Sequence, residues 1–306
     1  MLPSPEVRRY VQKLFGVSLT GDTSDQSFYI LHGTGANGKT TLVQAYAALL
    51  GDYALSTPTS TFLSRRDSGV PNDLARLRGA RFVYAAEPDV SLHLAEALLK
   101  LLTGGEPITA RFLFAEFFSF YPEFKLLILA NHLPDIESGD DATWRRIHLI
   151  PFTQTIPVQE REKHFKEKKL LPELAGILNW GLEGLAMWQA EGLDEPEAIR
   201  IATAEYRREC DDLEGFFQEC VVVDPDAMVS KQDLYAAYGK YQFYARDSPR
   251  LSIQLFGRLV KGRGIRDGNT GQARVWKGIR LKDPGGGDLT TLTDLTAPVG
   301  SKSNLG

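Results

Sequence analysis

Residues 33–40 constrain this chain more than any other stretch. They read Gly33, Thr34, Gly35, Ala36, Asn37, Gly38, Lys39 and Thr40, with Thr41 next, and satisfy the pattern G-x-x-x-x-G-K-[ST]. The apolar run Phe28-Tyr29-Ile30-Leu31 just upstream reads as a buried strand, and residues 39–50 downstream read as a helix. A glycine-rich turn between a strand and a helix aims backbone N–H groups and the positive end of the helix dipole at one point, which suits a phosphate. On this pattern Lys39 is expected to hold the β- and γ-phosphates of ATP and the Thr40 hydroxyl to bind Mg2+. The whole run 33–41 is the expected nucleotide-binding segment.

A triphosphate is hydrolysed only if water is oriented against it. Residues 81–86 form a second apolar strand that ends in Glu87, and α/β folds bind ligands at the carboxyl ends of their strands. Glu87 is therefore the expected water-orienting acid and a second metal ligand. Ala86 stands where many P-loop enzymes carry a magnesium-binding aspartate, and Asp89 nearby reads equally well as a turn residue. Residues 126–130 repeat the arrangement and end in Asn131, whose amide both donates and accepts hydrogen bonds and so suits a γ-phosphate and its attacking water. Further on, Trp144-Arg145-Arg146-Ile147 precedes the apolar segment 148–152. An arginine there suits a finger on a neighbour's phosphate, although a pair of solvated arginines fits the same pattern.

These strands alternate with helices, including one over about 92–102 that stops at Gly104-Gly105. The alternation predicts an α/β fold with a parallel sheet, of the P-loop NTPase type. After Pro157 the pattern predicts helices over about 159–168, 172–190 and 195–208. From Asp211 it predicts helices followed by two strands, 265–267 and 274–279, around the turn 268–271, a sequence of elements that suits a small winged helix. The expected divisions are a helical lead-in 1–26, an ATPase core 27–156, a helical region 157–210, a winged-helix-like DNA-binding domain 211–283 and a disordered tail 284–306.

The 306 residues, 43% hydrophobic, suffice for one large core and one small one, and the net charge of −4 excludes a general basic coat. Local charge is another matter. Residues 250–282 carry nine basic residues against one acid, Asp267, the expected footprint of phosphate contact with DNA. Within that segment Arg258, Lys261, Arg263 and Arg274 are the candidate DNA contacts, on a helix over about 252–261 and the strand that follows. A solvated face is the competing reading. The scattered histidines and the two cysteines, Cys210 and Cys220, fit no metal spacing. The chain shows neither a signal-peptide pattern nor a run long enough for a bilayer, so a cytoplasmic protein is expected.

Together the segments GTGANGKTT (33–41), LARLRGARFVYAAE (74–87), LLKLLTGGEPITAR (98–111), FKLLILANHLPDI (124–136) and WRRIHLIPF (144–152) resemble the superfamily 3 helicases. The closer likeness is to the phage/plasmid primase–helicase group, which is similar to the poxvirus primase–helicase. Order and spacing match over residues 5–155, and the part from DLEGFFQEC to RVWKGIRLK looks like the family's C-terminal domain. The resemblance implies an AAA+-related core, a homo-hexameric ring with ATP between subunits, and one DNA strand drawn through the pore. It implies that Lys39, Thr40, Glu87 and Asn131 act within one subunit. Arg146 is the implied finger across the interface, with Arg145 second, and Lys100 contacts the neighbour's nucleotide. A pore hairpin is implied within 107–121, with Arg111 on phosphate and Phe112 or Phe114 stacked on a base, while Phe117, Phe118, Phe120 and Tyr121 are expected to pack inside. The expected function is an ATP-hydrolysing DNA helicase or translocase of phage or plasmid replication in a bacterial host. The alternative is an ATP-gated initiator or loader that binds DNA without unwinding it. Only 32 residues precede Gly33, and no carboxylate triad or zinc cluster is present. Primer synthesis is accordingly expected on another polypeptide or a longer parent chain.

Overall fold

The computed structural model describes residues 2–63, 72–86, 93–136, 141–211, 213–245, 251–271 and 273–282. It divides into two units, Met1–Cys210 and Asp211–Gly306. Glu87, Asp89, Arg250 and the tail 284–306 lie outside the described residues.

The first unit runs α1 (Pro5–Val17), β1 (Phe28–His32), α2 (Lys39–Leu50), β2 (Ala54–Ser56), α3 (Asn72–Ala75), β3 (Phe82–Ala86), α4 (Glu96–Thr103), β4 (Ile108–Ala110), β5 (Phe118–Phe120), β6 (Lys125–Ala130), α5 (Asp141–Trp144), β7 (Ile147–Pro151), α6 (Leu174–Glu191) and α7 (Glu197–Glu209). Five of these strands form one sheet in the order β2-β3-β6-β1-β7, and every neighbouring pair is parallel. The parallel sheet expected from the alternation of strands and helices is therefore present.

Both faces of this sheet are covered, which explains why its strands read as unbroken apolar runs. Alternate residues serve opposite cores. Phe28, Ile30, Val83, Leu126 and Ile128 enter one core with Leu99, Leu102 and Tyr206. Tyr29, Leu31, Phe82, Leu127 and Leu129 enter the other with residues of α1 and α2. Helix α1 starts cleanly because Ser4 Oγ accepts the Val7 N–H at 3.3 Å and Pro5 takes the first turn. It then crosses α6 at backbone contact. A Cβ on Gly16 would lie 2.2 Å from Leu185 N, and one on Gly184 would lie 2.1 Å from Gln12 O. Glycine at both positions lets the two helices meet and brace α2 from behind.

Two expectations fail here. The helix expected over 159–168 is replaced by a tight turn at Val158–Glu160 and an irregular helical turn at Lys166–Leu170. That stretch is rich in exposed charge and offers no apolar face to bury. The aromatic cluster after β4 is only partly internal. Phe120 is buried and Phe118 half-buried, but Phe117 is 56% and Tyr121 64% exposed, because β4 and β5 form their own two-stranded hairpin outside the main sheet.

The second unit runs α8 (Glu214–Cys220), β8 (Val221–Ser230), α9 (Lys231–Ala245), α10 (Ile253–Gly262), β9 (Arg266–Asn269) and β10 (Arg274–Leu281). Its antiparallel sheet has the order β8-β10-β9. Strand β8 is absent from the sequence reading because Asp224-Pro225-Asp226 looks like a turn. In fact residues 221–223 pair with 279–281 and residues 228–230 with 275–277, and the pairing shifts in between. The proline falls in the unpaired part of an edge strand, where its missing N–H is tolerated. Phe216, Leu234, Tyr238, Phe256, Val260 and Trp276 form a separate core for this unit.

Candidate nucleotide-binding site

Parallel register brings the carboxyl ends of four strands to one edge. His32 is level with Ala130 of β6 and Pro151 of β7, and Ala86 of β3 is level with Leu129. The loop 33–38 leaves β1 at that edge and enters α2. Its shape is imposed residue by residue. Gly33 has no room for a side chain, since a Cβ would sit 2.2 Å from Asn37 Nδ2 and 2.4 Å from Phe152 O. Gly35, Ala36 and Gly38 all have positive φ, at 97°, 49° and 83°, and such turns point successive N–H groups inward. Gly38 is the N-cap of α2 and brings no side chain to bond its first N–H groups, so these face the loop. Thr34, Ala36 and Thr40 are exposed and Thr41 half-buried.

Lys39 is only 4% exposed. Its ammonium donates to Gly33 O at 2.7 Å, to Asn37 Oδ1 at 3.1 Å and to Asn131 Oδ1 at 3.1 Å. The loop lysine and the amide after β6 are thus in direct contact, although 92 residues separate them. Asn37 is buried, and its Nδ2 also donates to Phe152 O at 3.3 Å. This side chain braces Lys39 and ties the loop to the chain after β7, which leaves its backbone to face a ligand. His32 stands beside this cluster with its pKa lowered from 6.5, first by burial and also by the Lys39 charge.

The two arginines before β7 differ sharply. Arg146 is 9% exposed, and its Nη1 donates to Ala142 O at 2.6 Å. Arg145 is exposed. Burial beneath its own helix leaves Arg146, the arginine preferred from the sequence, less able than Arg145 to reach beyond the surface. Lys100 lies half-buried in the last turn of α4.

At the β4–β5 hairpin, Arg111 is exposed and stacks 4.7 Å over the Phe117 ring. Phe112 stacks on Phe118, and Phe114, at φ 61°, is 99% exposed. In the second unit Arg258 and Lys261 lie exposed on α10 and Arg274 on β10. Arg263 does not join them. Its guanidinium is half-buried, pairs with Asp211, and donates to Glu214 at 2.9 Å. Desolvation there opposes the charge, but these two carboxylates outweigh it and raise its pKa. Arg263 therefore closes the unit on itself and is withdrawn from the candidate DNA contacts.

Sequence reasoning missed Tyr206, a buried residue of α7 whose hydroxyl donates to Pro134 O in the segment following Asn131. Its only sequence signal is a place on the apolar face of a helix, a place that many core residues share.

A family model described as a family of unknown function (DUF5906) matches residues 31–146, the stretch from the end of β1 to Arg146. A provisionally named helicase of Acanthamoeba polyphaga mimivirus is 34% identical over 253 residues, 76% of this chain and 26% of that protein. A provisionally named primase of African swine fever virus is 28% identical over 150 residues, 48% of this chain and 16% of that protein. The chain is thus similar to viral proteins that carry helicase and primase names. It spans about a quarter or less of the length of these curated relatives. A solved structure of the NrS-1 C-terminal region is 13% identical with a TM-score of 0.48, covering 92% of this chain and 77% of that one. No helix among the described residues is long and apolar enough to cross a membrane.

Proposed function

We propose that this chain is the motor part of a DNA helicase, binding ATP with Mg2+ on the loop 33–40 and coupling its hydrolysis to movement along a single strand. The observation that carries the reading is the contact of Lys39 with both Gly33 O and Asn131 Oδ1. These oxygens hold the ammonium where a β,γ-phosphate pair would receive it. The cradle fits that ligand, because Gly33 excludes a side chain and the left-handed turn at 35–38 directs N–H groups inward. Mg2+ would be held by the Thr40 hydroxyl and Glu87, and it would neutralise charge on the transferring phosphate. Asn131 would then orient the attacking water, and Arg145 would reach a neighbour's γ-phosphate within a ring of subunits.

Two surfaces supply candidate DNA contacts. The hairpin tip pairs a cation at Arg111 with the exposed rings of Phe112 and Phe114, the combination that holds single strands without reading sequence. In the second unit, the helix–strand–helix–helix–strand–strand order suits a winged helix, with Arg258, Lys261 and Arg274 towards the phosphates. The helicase and primase names of the viral relatives agree with this reading.

The test is ATP turnover with and without single-stranded DNA, together with displacement of a labelled strand from a fork. Stimulated turnover and displacement, both abolished in Lys39→Ala, are expected. ATP-dependent DNA binding without displacement would instead support an initiator or loader.

A further inference from the structure

We infer that Tyr206 is a positioning residue that fixes the Asn131 loop and ties it to the segment bearing Arg145. The inference rests on the motor reading above. Tyr206 is buried on α7 and its hydroxyl donates to Pro134 O, three residues beyond Asn131. Two neighbours grip the same loop. Leu94 N donates to Asp135 O at 3.1 Å, and the Cys210 thiol, one turn after Tyr206, accepts from the Ile136 backbone. The Tyr206 ring also meets Trp144 edge to face, with centroids 5.3 Å apart. Trp144 ends α5 and directly precedes Arg145. The next residue of α7, Arg207, pairs with Asp141 at the start of α5 at 2.5 Å.

One turn of α7 thus holds two chemical elements at once. The hydroxyl holds the loop whose amide contacts Lys39, and the ring holds the short helix that presents the exposed arginine. Burial keeps the phenol neutral, with its pKa far above the ordinary 10, so it remains a donor at every working pH. A loop held by three backbone contacts keeps Asn131 within reach of Lys39 when phosphate displaces the ammonium. Misplacement of a catalytic group by an ångström costs rate more than affinity.

Tyr206→Phe separates the two halves of the inference, because it deletes the donor and keeps the ring. Turnover of ATP by the full chain is expected to fall about tenfold with unchanged KM and unchanged affinity for a fluorescent ATP analogue. Added to Asn131→Ala, the substitution is expected to cost nothing further, since both act through one amide. Hydrogen exchange reads the same point without turnover. Amides at 131–136 are expected to exchange faster in Tyr206→Phe with 141–147 unchanged, whereas Tyr206→Ala quickens both. Wild-type turnover in Tyr206→Phe, an equal loss in the Asn131→Ala background, or a uniform rise in exchange across the unit would each overturn the inference alone. A wild-type chain that never hydrolyses ATP would overturn the motor reading, and this one with it.

Discussion

Replacing Gly33 with alanine would put a methyl group 2.2 Å from Asn37 Nδ2 and 2.4 Å from Phe152 O. The first neighbour is a side-chain end and can swing away, though only by giving up its bond to Phe152 O and its brace on Lys39. The second is backbone of the chain after β7, which is fixed by the Phe152 N–H to His32 O bond at 2.7 Å. The loop itself must therefore move, and overpacking of this kind costs about 1–3 kcal/mol. Gly35 is the internal control. Its Cβ would meet nothing within 4 Å, but its φ of 97° is unfavourable for alanine, a local strain of about 1–2 kcal/mol. Both variants should lose stability in urea unfolding. Only Gly33→Ala displaces the lysine brace, so its affinity for a fluorescent ATP analogue should fall about tenfold or more, which is about 1.4 kcal/mol. Were Gly33→Ala to unfold within about 0.5 kcal/mol of wild type and bind nucleotide equally, the steric account of this loop would be wrong.

Arg145→Ala should leave the melting temperature unchanged and abolish stimulated ATP turnover, with activity regained on mixing with Lys39→Ala subunits. Arg146→Ala should lower the melting temperature by several degrees, because the buried side chain bonds Ala142 O, and no regain on mixing is expected. His32 supplies a pH dependence. Its folded pKa lies below the 6.5 of a free imidazole, so the unfolded chain takes up its proton first. Its contribution to stability is whole above 6.5 and is lost as pH falls towards the folded value. Urea midpoints between about pH 5 and 7.5 should show this decline in wild type and a flatter profile in His32→Gln. Removing Arg258, Lys261 or Arg274 should each reduce the slope of log DNA affinity against log salt by about 1. Arg263→Ala should instead lower the unfolding temperature of the second unit, since it breaks the links to Asp211 and Glu214.

The glycine-rich loop at 33–38 was legible in the sequence because its geometry is local. A strand, a run of glycines and a helix within 23 residues, 28–50, fix the backbone whatever surrounds them. The sheet was legible for a related reason: strands covered on both faces read as unbroken apolar runs. The partners of Lys39 were less so. That Asn131 meets it follows from β6 lying beside β1, a neighbour relation that no local pattern encodes. The choice between Arg145 and Arg146, the withdrawal of Arg263, the exposure of Phe117 and Tyr121, and the grip of Tyr206 on Pro134 all depended on burial. Burial is decided by which distant segment packs over a side chain, and adjacent residues of like chemistry can meet opposite fates. The chain's sequence by itself thus determined the alternation of strands and helices in the first unit and the glycine-rich turn at 33–38. Only the tertiary structure decided which charged and aromatic groups face that turn, which face solvent, and which are spent holding the fold.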